Sequence, residues 1–598
     1  MSGSPIYVNG KLIGALAYGW MFSRLPIAGV TPIESMVESA TPAPTHFSKL
    51  WDDGVTFVPR DGKIRIGRQR IRRVVIAGRG YISKRAHVPR DEIVLTPIRT
   101  PLMVSGISGI ALERLRALLQ PFGLEPVAAP GKPYNANKIK ASLEPGAAVG
   151  AQMVSGDIDL TAVGTVTYRK GNLLIAFGHP FMLAGSIQMP LTTAYVHGVL
   201  PSELMSIKLA SPLRPLGAFT EDRAFAIAGK LGLRADMLPV VMTMRDLNRH
   251  VQRQYRVAVF RHRDLTIPLI NLLLSIAFMN VTSISNSGTT RIAYEIFTDG
   301  LPPIRRSNLF IQRRAEGLLG MILSYFIGPT AELVQLLETL QDNRFKPVNI
   351  KQVRVLMENT QQRREAYIER VWCDKRVVRP GEDVTLHVFL REVHGDVVER
   401  TFKVQVPERM PATTIRIGVA GGEHGARLRS RLGILQRRPL SLKQLIEEFM
   451  RRERNDEIVI CMQLPNMGGW LNGALTENVP YSVLEMFNAI ADDNFYVGYV
   501  GKIQRISCSN VVHGMKIVTI RVRPEWVKET PKPSASLRRA RGRAFEDLFE
   551  TFEELRRILG GKGSTMPFQR TLMCKSRTRW LLKHLEYSPD ANALSRNV

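Results

Sequence analysis

Short runs in which apolar and polar residues alternate fill residues 145–300, and that two-residue period predicts strands. Leu160 to Tyr168 and Leu173 to Phe177 are two such runs, joined by a turn at Lys170-Gly171-Asn172. Pro and Gly recur every few residues beyond them, which suits the short strands of a barrel. A hairpin is predicted over residues 5–20. Ile6-Tyr7-Val8 is one strand, Asn9-Gly10 tolerates a left-handed two-residue turn, and Leu12 to Leu16 returns. A second β pattern runs over 371–420, where Val384, Leu386, Val388 and Leu390 alternate with other residues and Phe402, Val404 and Val406 do so again.

The period lengthens to that of a helix in four places. Residues 108–120 carry Ser108 as N-cap, then Leu112, Leu115 and Leu119. Residues 310–370 carry Leu318 and Ile322, then Leu333, Leu336, Leu337 and Leu340. At 439–464, Ser441 and Gln444 form a capping box ahead of Leu442, Leu445, Ile446, Phe449 and Met450, and Ile458 to Leu464 follows as a strand. Near the end, Phe545, Leu548, Phe549, Phe552, Leu555 and Leu559 give an amphipathic helix stopped by Gly560-Gly561. The longest apolar run, Leu265 to Val281, contains Pro268 and Asn271 and is short for a membrane span, so it predicts a buried helix and no transmembrane segment.

These patterns predict a multidomain, mainly β protein with α+β extensions. The expected pieces are a hairpin segment at 1–45, a basic connector at 46–100, a β-rich region at 101–300 and a helical linker at 301–370. A small β-sandwich-like module at 371–430, an α/β module at 431–530 and a basic tail with its helix at 531–598 complete the chain. With 598 residues several domains are expected on length alone. The net charge of +29 favours anionic partners, and the plainer account, preferred here, is a basic surface that follows from an Arg-rich composition throughout. The Arg-rich runs at 65–79 and 537–543 lack the aromatic pattern of an RNA-binding sheet, so nucleic acid is not an expected partner.

Four cysteines (Cys373, Cys461, Cys508, Cys574) stand far apart without a CxxC pair, and the histidines show no metal-ligand spacing. No metal or cofactor is implied. Two glycine-rich stretches are decoys. Gly418-Val-Ala-Gly-Gly-Glu-His-Gly has weak helix signals after it, and Gly560-Gly-Lys-Gly-Ser-Thr has phosphate-loop letters in the wrong order with no strand before it.

The candidate chemistry lies in two short segments. Ser2-Gly3-Ser4-Pro5 puts a hydroxyl on a Gly-bearing turn, and Phe177-Gly178-His179-Pro180 puts an imidazole on another. A serine becomes a useful nucleophile at neutral pH when a base adjoins it, and the two need be neighbours only in the fold. Met1-Ser-Gly-Ser-Pro-Ile-Tyr-Val-Asn-Gly-Lys-Leu-Ile-Gly-Ala resembles the nucleophile segment of the SpoIVB-type serine peptidases, named for the sporulation stage IV protein B. Leu143-Glu-Pro-Gly, Gly156-Asp-Ile-Asp, Gly164-Thr-Val-Thr-Tyr, Ala176-Phe-Gly-His-Pro, Ser206-Ile-Lys-Leu and Asp222-Arg223 through Gly229 are similar to that family's histidine-bearing half. The resemblance covers roughly residues 1–36 and 143–232.

It implies a chymotrypsin-like pair of β-barrels, Ser2 as nucleophile, His179 as general base and Gly3 beside an oxyanion hole. The substrate would be a protein or peptide, and the 371–530 region would dock a substrate or a cell-envelope partner. The segment order is the reverse of the sporulation peptidase, as in a subgroup with long C-terminal extensions. The chain begins inside the motif, so the family's acidic triad member, which lies upstream of the serine, has no counterpart. The expectation is that Met1 is an internal methionine or that the chain is a fragment, and that an extracytoplasmic export signal lies in the missing piece. Asp157, Asp159 and Asp222 are candidate replacements for the acid, each with the plainer reading of a turn cap or salt bridge. Ser4 reads as turn geometry ahead of Pro5, and His197 as a core or edge residue. The alternative function is a catalytically impaired scaffold or binding protein on the same fold.

Overall fold

The structure, a computed structural model, describes residues 2–19, 28–41, 139–201, 207–282, 288–312, 328–434, 439–471 and 495–524, with shorter stretches between 55 and 138 and between 474 and 486. The chain divides into a unit Met1–Pro524 and a unit Glu525–Val598. The second unit, with the helix expected at 545–559, lies outside the described residues.

The fold is mainly β, with large multi-strand sheets. The N-terminal sheet opens with the expected hairpin, in which Pro5–Val8 and Lys11–Gly19 pair antiparallel. Asn9 and Gly10 both take positive φ at its turn, as that turn type demands. The segment expected as a connector contributes three strands to this sheet: Val55–Phe57 pairs with Arg73–Ile76, which pairs with Glu92–Pro97, and the last pairs with Lys11–Gly19. On these strands Arg73 is exposed, while the apolar Val75 and Ile93 are buried.

The central sheet has thirteen strands. Ala148–Gly156 pairs with both Asp159–Lys170 and Gly185–Leu200. The circuit continues through Leu173–Ala176, Ala226–Leu231 and Ile207–Arg223. Six antiparallel strands therefore close on themselves, and closure removes their edges. Beyond this ring the sheet extends through Val251–Phe260, Met237–Asp246, Ile350–Thr360, Gly288–Thr298 and Leu301–Gln312. One face of the extension packs against the helices Thr266–Met279 and Ala331–Gln341. The first is the expected buried helix, apolar on nearly every side. No helix among the described residues is long and apolar enough to cross a membrane.

Among the described residues of the expected linker at 301–370 most are strand, and the helix Ala331–Gln341 buries Leu333, Leu336, Leu337 and Leu340, while Leu318 and Ile322 lie outside the described residues. Val353, Val355 and Met357 are buried at two-residue spacing, a strand signature that the neighbouring leucine pattern masked. The 108–120 helix forms as Ile110–Leu119, with Gly109 at the N-cap, and Ser108 lies outside the described residues.

The modules expected at 371–430 and 431–530 form one sandwich. The strand Thr413–Gly421 pairs with Glu457–Leu471 on one side and Met515–Val522 on the other. Val511–His513 crosses back to pair with Glu365–Cys373 in the facing sheet. Residues of both sheets share a single core, including Val384, Leu386, Ile417, Ile460 and Ile520. The glycine-rich stretch at 418 serves this crossing, because a Cβ on Gly421 would collide with the Val512 carbonyl.

A buried cation joins the sandwich to the central sheet. The Arg306 guanidinium pairs with Glu332 and donates to the carbonyls of Met450 and Arg452 at 3.0 Å each and of Glu453 at 3.2 Å. The Met450 carbonyl ends the helix Leu442–Met450, where a positive charge is favourable, and the other two lie just beyond it. That helix begins nearly as its capping box predicts. Ser441 accepts from the Gln444 N–H at 3.2 Å, while the Gln444 side chain reaches one residue further back, to the Leu440 N–H at 2.8 Å.

Candidate active site

Ser2 lies at the head of the hairpin, and the hairpin sets it against the closed ring. The Gly3 N–H donates to the Leu16 carbonyl at 2.9 Å, and the Leu16 N–H donates to the Ser4 carbonyl at 3.0 Å. The Thr167 hydroxyl, from the ring, donates to the Gly3 carbonyl at 2.8 Å. Gly3 has φ +84°, and a Cβ there would meet the Thr165 carbonyl and the Phe177 N, so only glycine fits between the two sheets. Ala15, Met36, Ile175, Ala226 and Ala228 fill the space around this junction.

His179 follows Leu173–Ala176 on a turn with two left-handed residues in succession, Phe177 at φ 72° and Gly178 at φ 71°. A phenylalanine in that region is strained, and such strain persists where its surroundings hold it. Here the Thr31 hydroxyl, from the N-terminal sheet, donates to the Gly178 carbonyl at 2.5 Å. The Phe177 ring is fully buried and meets His179 edge-on, with centroids 6.2 Å apart.

Ser2 Oγ and His179 Nε2 are 2.5 Å apart, and both residues are buried. His179 Nδ1 is 2.8 Å from the Pro180 carbonyl oxygen. A carbonyl only accepts, so Nδ1 carries the proton and Nε2 presents its lone pair to the Ser2 hydroxyl. That is the tautomer a general base needs. The Phe177 carbonyl, 2.8 Å from Ser2 Oγ, is a second acceptor for the same hydroxyl proton.

Burial pushes the His179 pKa down to about 4, with the Pro180 carbonyl bond opposing it in part. The imidazole is therefore neutral, and able to act as a base, across the whole range above that value. The unfolded chain binds a proton near 6.5 and the folded one only near 4, so stability falls as pH drops through this interval. The expected loss is up to about 3 kcal/mol, and urea denaturation of a His179→Gln variant should lack it between those two pH values.

The structure brings Ser2 and His179 together and places the other candidates elsewhere. Asp222 is buried beside the loop that follows His179. Its carboxylate accepts from the N–H groups of Phe181 and Met182 at 2.7 Å each and of Ala184 at 3.1 Å, and so shapes the loop that follows His179. Asp159 accepts from Gln152 Nε2 at 2.6 Å and from the Thr161 hydroxyl at 2.5 Å. It sits seven residues before Val166, the partner of Ala176, or roughly 23 Å along an extended strand. Asp157 accepts from the Arg256 N–H at 2.7 Å, beside the turn at Gly156. Gly3, expected beside the oxyanion hole, has its N–H committed to Leu16. Ser4 serves the strand pairing. His197 is exposed and lies 2.8 Å from Ser211 Oγ. That hydroxyl also lies 2.6 Å from the Pro130 carbonyl, a second acceptor for its proton.

Three contributors were not singled out from the sequence: the Pro180 carbonyl, Thr31 and Lys208. Lys208 stands in the Ser206-Ile-Lys-Leu block and donates from Nζ to Thr165 Oγ1 at 2.9 Å, with its amine pKa lowered by burial. It brings a cation to the strand on which Gly3 rests. Among the described residues, no group of three or more His, Cys, Asp or Glu side chains is placed to hold a metal ion. No family model, curated protein or solved structure matches the chain.

Proposed function

We propose that the chain is a serine endopeptidase of the SpoIVB type, with Ser2 and His179 as a dyad. The observation that carries this is the 2.5 Å approach of Ser2 Oγ to an Nε2 whose lone pair is fixed toward it by the Pro180 carbonyl. Ser2 Oγ attacks a peptide carbonyl as its proton passes to Nε2. His179 returns that proton to the leaving amine as the C–N bond breaks, and an acyl-enzyme remains. Water, deprotonated by the same nitrogen, then cleaves the ester and frees the serine. The closed six-strand ring beside the N-terminal sheet supports a chymotrypsin-like pair of barrels, with the site at their junction.

A second reading rests on its own observations. Both residues of the pair are buried, the Gly3 N–H is occupied and a neutral carbonyl, that of Pro180, takes Nδ1. This arrangement also suits a peptidase-fold scaffold that has lost turnover. A fluorophosphonate probe separates the two. Covalent labelling mapped to Ser2, and absent in Ser2→Ala, is expected for the enzyme. A folded wild-type protein that stays unlabelled over a day would leave the scaffold.

A further inference from the structure

The central sheet extension has one face against its helices and one face open. On five adjacent strands the residues of the open face, such as Thr243, Arg256, Glu295, Arg305 and Arg354, line a shared cleft of about 910 Å³. They fall at alternate positions, and the intervening residues, such as Met242, Tyr294 and Val355, are buried against the other side. Arg245, Arg256, Arg291, Arg305 and Arg354 share this face by parity, against Glu295 and Glu358. Each glutamate is divided between two arginines. Glu295 lies 2.6 Å from Arg305 and 4.0 Å from Arg354, and Glu358 lies 2.9 Å from Arg245 and 3.5 Å from Arg291. Among the described residues no carboxylate pairs with the Arg256 guanidinium. These seven side chains sum to three positive charges, five arginines less two glutamates, and Asp157 adds one carboxylate at the edge beside Arg256.

We infer that this face binds an extended, acidic peptide segment of a partner protein. Guanidinium forks match carboxylates in geometry as well as charge. Thr243, Gln254, Gln352 and Ser307 stand between the arginines as donors and acceptors for a peptide backbone. A single-stranded nucleic acid would need rings to stack on. Phe297, the ring on this face, is already covered by Arg354 at 4.7 Å, and the Tyr294 ring is buried with its hydroxyl on Glu332. The inference does not depend on Ser2 or His179.

The test is fluorescence anisotropy on the full chain with a labelled decapeptide of five Glu-Thr repeats, set against a labelled ten-nucleotide oligo(dT). The wild type is expected to bind the peptide more tightly than the oligonucleotide. Arg256→Glu/Arg354→Glu should weaken peptide binding by about tenfold or more. Arg256→Gln/Arg354→Gln should weaken it in the same direction, and serves if the reversed pair fails to fold. Arg376→Glu/Arg400→Glu, exposed on the sandwich, should change it by less than about twofold. Equal losses in both reversed pairs would mean diffuse charge only. That result, no peptide binding, or tighter binding of oligo(dT) through the same arginines would overturn the assignment.

Discussion

His179→Ala is expected to slow acylation of Ser2 by about 10³-fold, inside the 10²–10⁴ range of general-base contributions. Without the imidazole, the hydroxyl keeps one acceptor, the Phe177 carbonyl at 2.8 Å. A carbonyl can hold that proton but cannot carry it away, so Ser2 falls back to the reactivity of an ordinary alcohol. The wild-type pH profile gives a second reading. Because burial sets the ring near 4, the rate of fluorophosphonate labelling should stay level as pH falls past 6.5 and drop only as 4 is approached. An inflection at 6.5 would show that the base works from a solvated state, and an undiminished rate in His179→Ala would remove it from the chemistry. The acid of the serine-protease triad has two duties, fixing the tautomer and stabilising the imidazolium. The Pro180 carbonyl performs the first and, being neutral, serves the second poorly, so turnover should be slow even with the dyad intact.

Asp222→Ala should destabilise the chain by about 3–5 kcal/mol. The carboxylate is fully buried and answers three backbone N–H groups over four residues. Removing it leaves those donors buried without their acceptor, each worth about 1–3 kcal/mol. Asp222→Asn should recover little, because its amide turns one oxygen into a donor facing other donors. The loop it shapes begins at Pro180, whose carbonyl orients the base, so both variants should also lose labelling at temperatures where they remain folded. Chemical denaturation and labelling at 10 °C check the two effects separately. A stability loss with a normal labelling rate would confine Asp222 to the fold.

The hairpin, the strand leading to His179 and the pairing of Ser2 with His179 were all legible in the sequence. Local rules decide the first two: Asn9-Gly10 dictates a turn, and a two-residue period dictates a strand. The pairing came from the resemblance, since nothing local links positions so far apart. The role of Asp222 was hidden for a different reason. A carboxylate that accepts from backbone N–H groups leaves no residue-type pattern, because every residue except proline supplies that donor. Asp157 and Asp159 looked suitable by closeness in sequence, yet a strand carries each residue about 3.3 Å further from the next. The 301–370 misreading has the same origin. Strand periodicity at Val353, Val355 and Met357 was present, but only the sheet pairing of Gly288–Thr298 with Ile350–Thr360 shows which pattern governs.

The hydroxyl and the imidazole are 177 positions apart, and each comes from a different sheet. A polypeptide that holds both residues still carries an inert alcohol until the two sheets have docked. Contacts of such high contact order form late, after the loop entropy between them has been overcome. Any reactivity at Ser2 is therefore a property of the docked pair of sheets and not of either sheet alone.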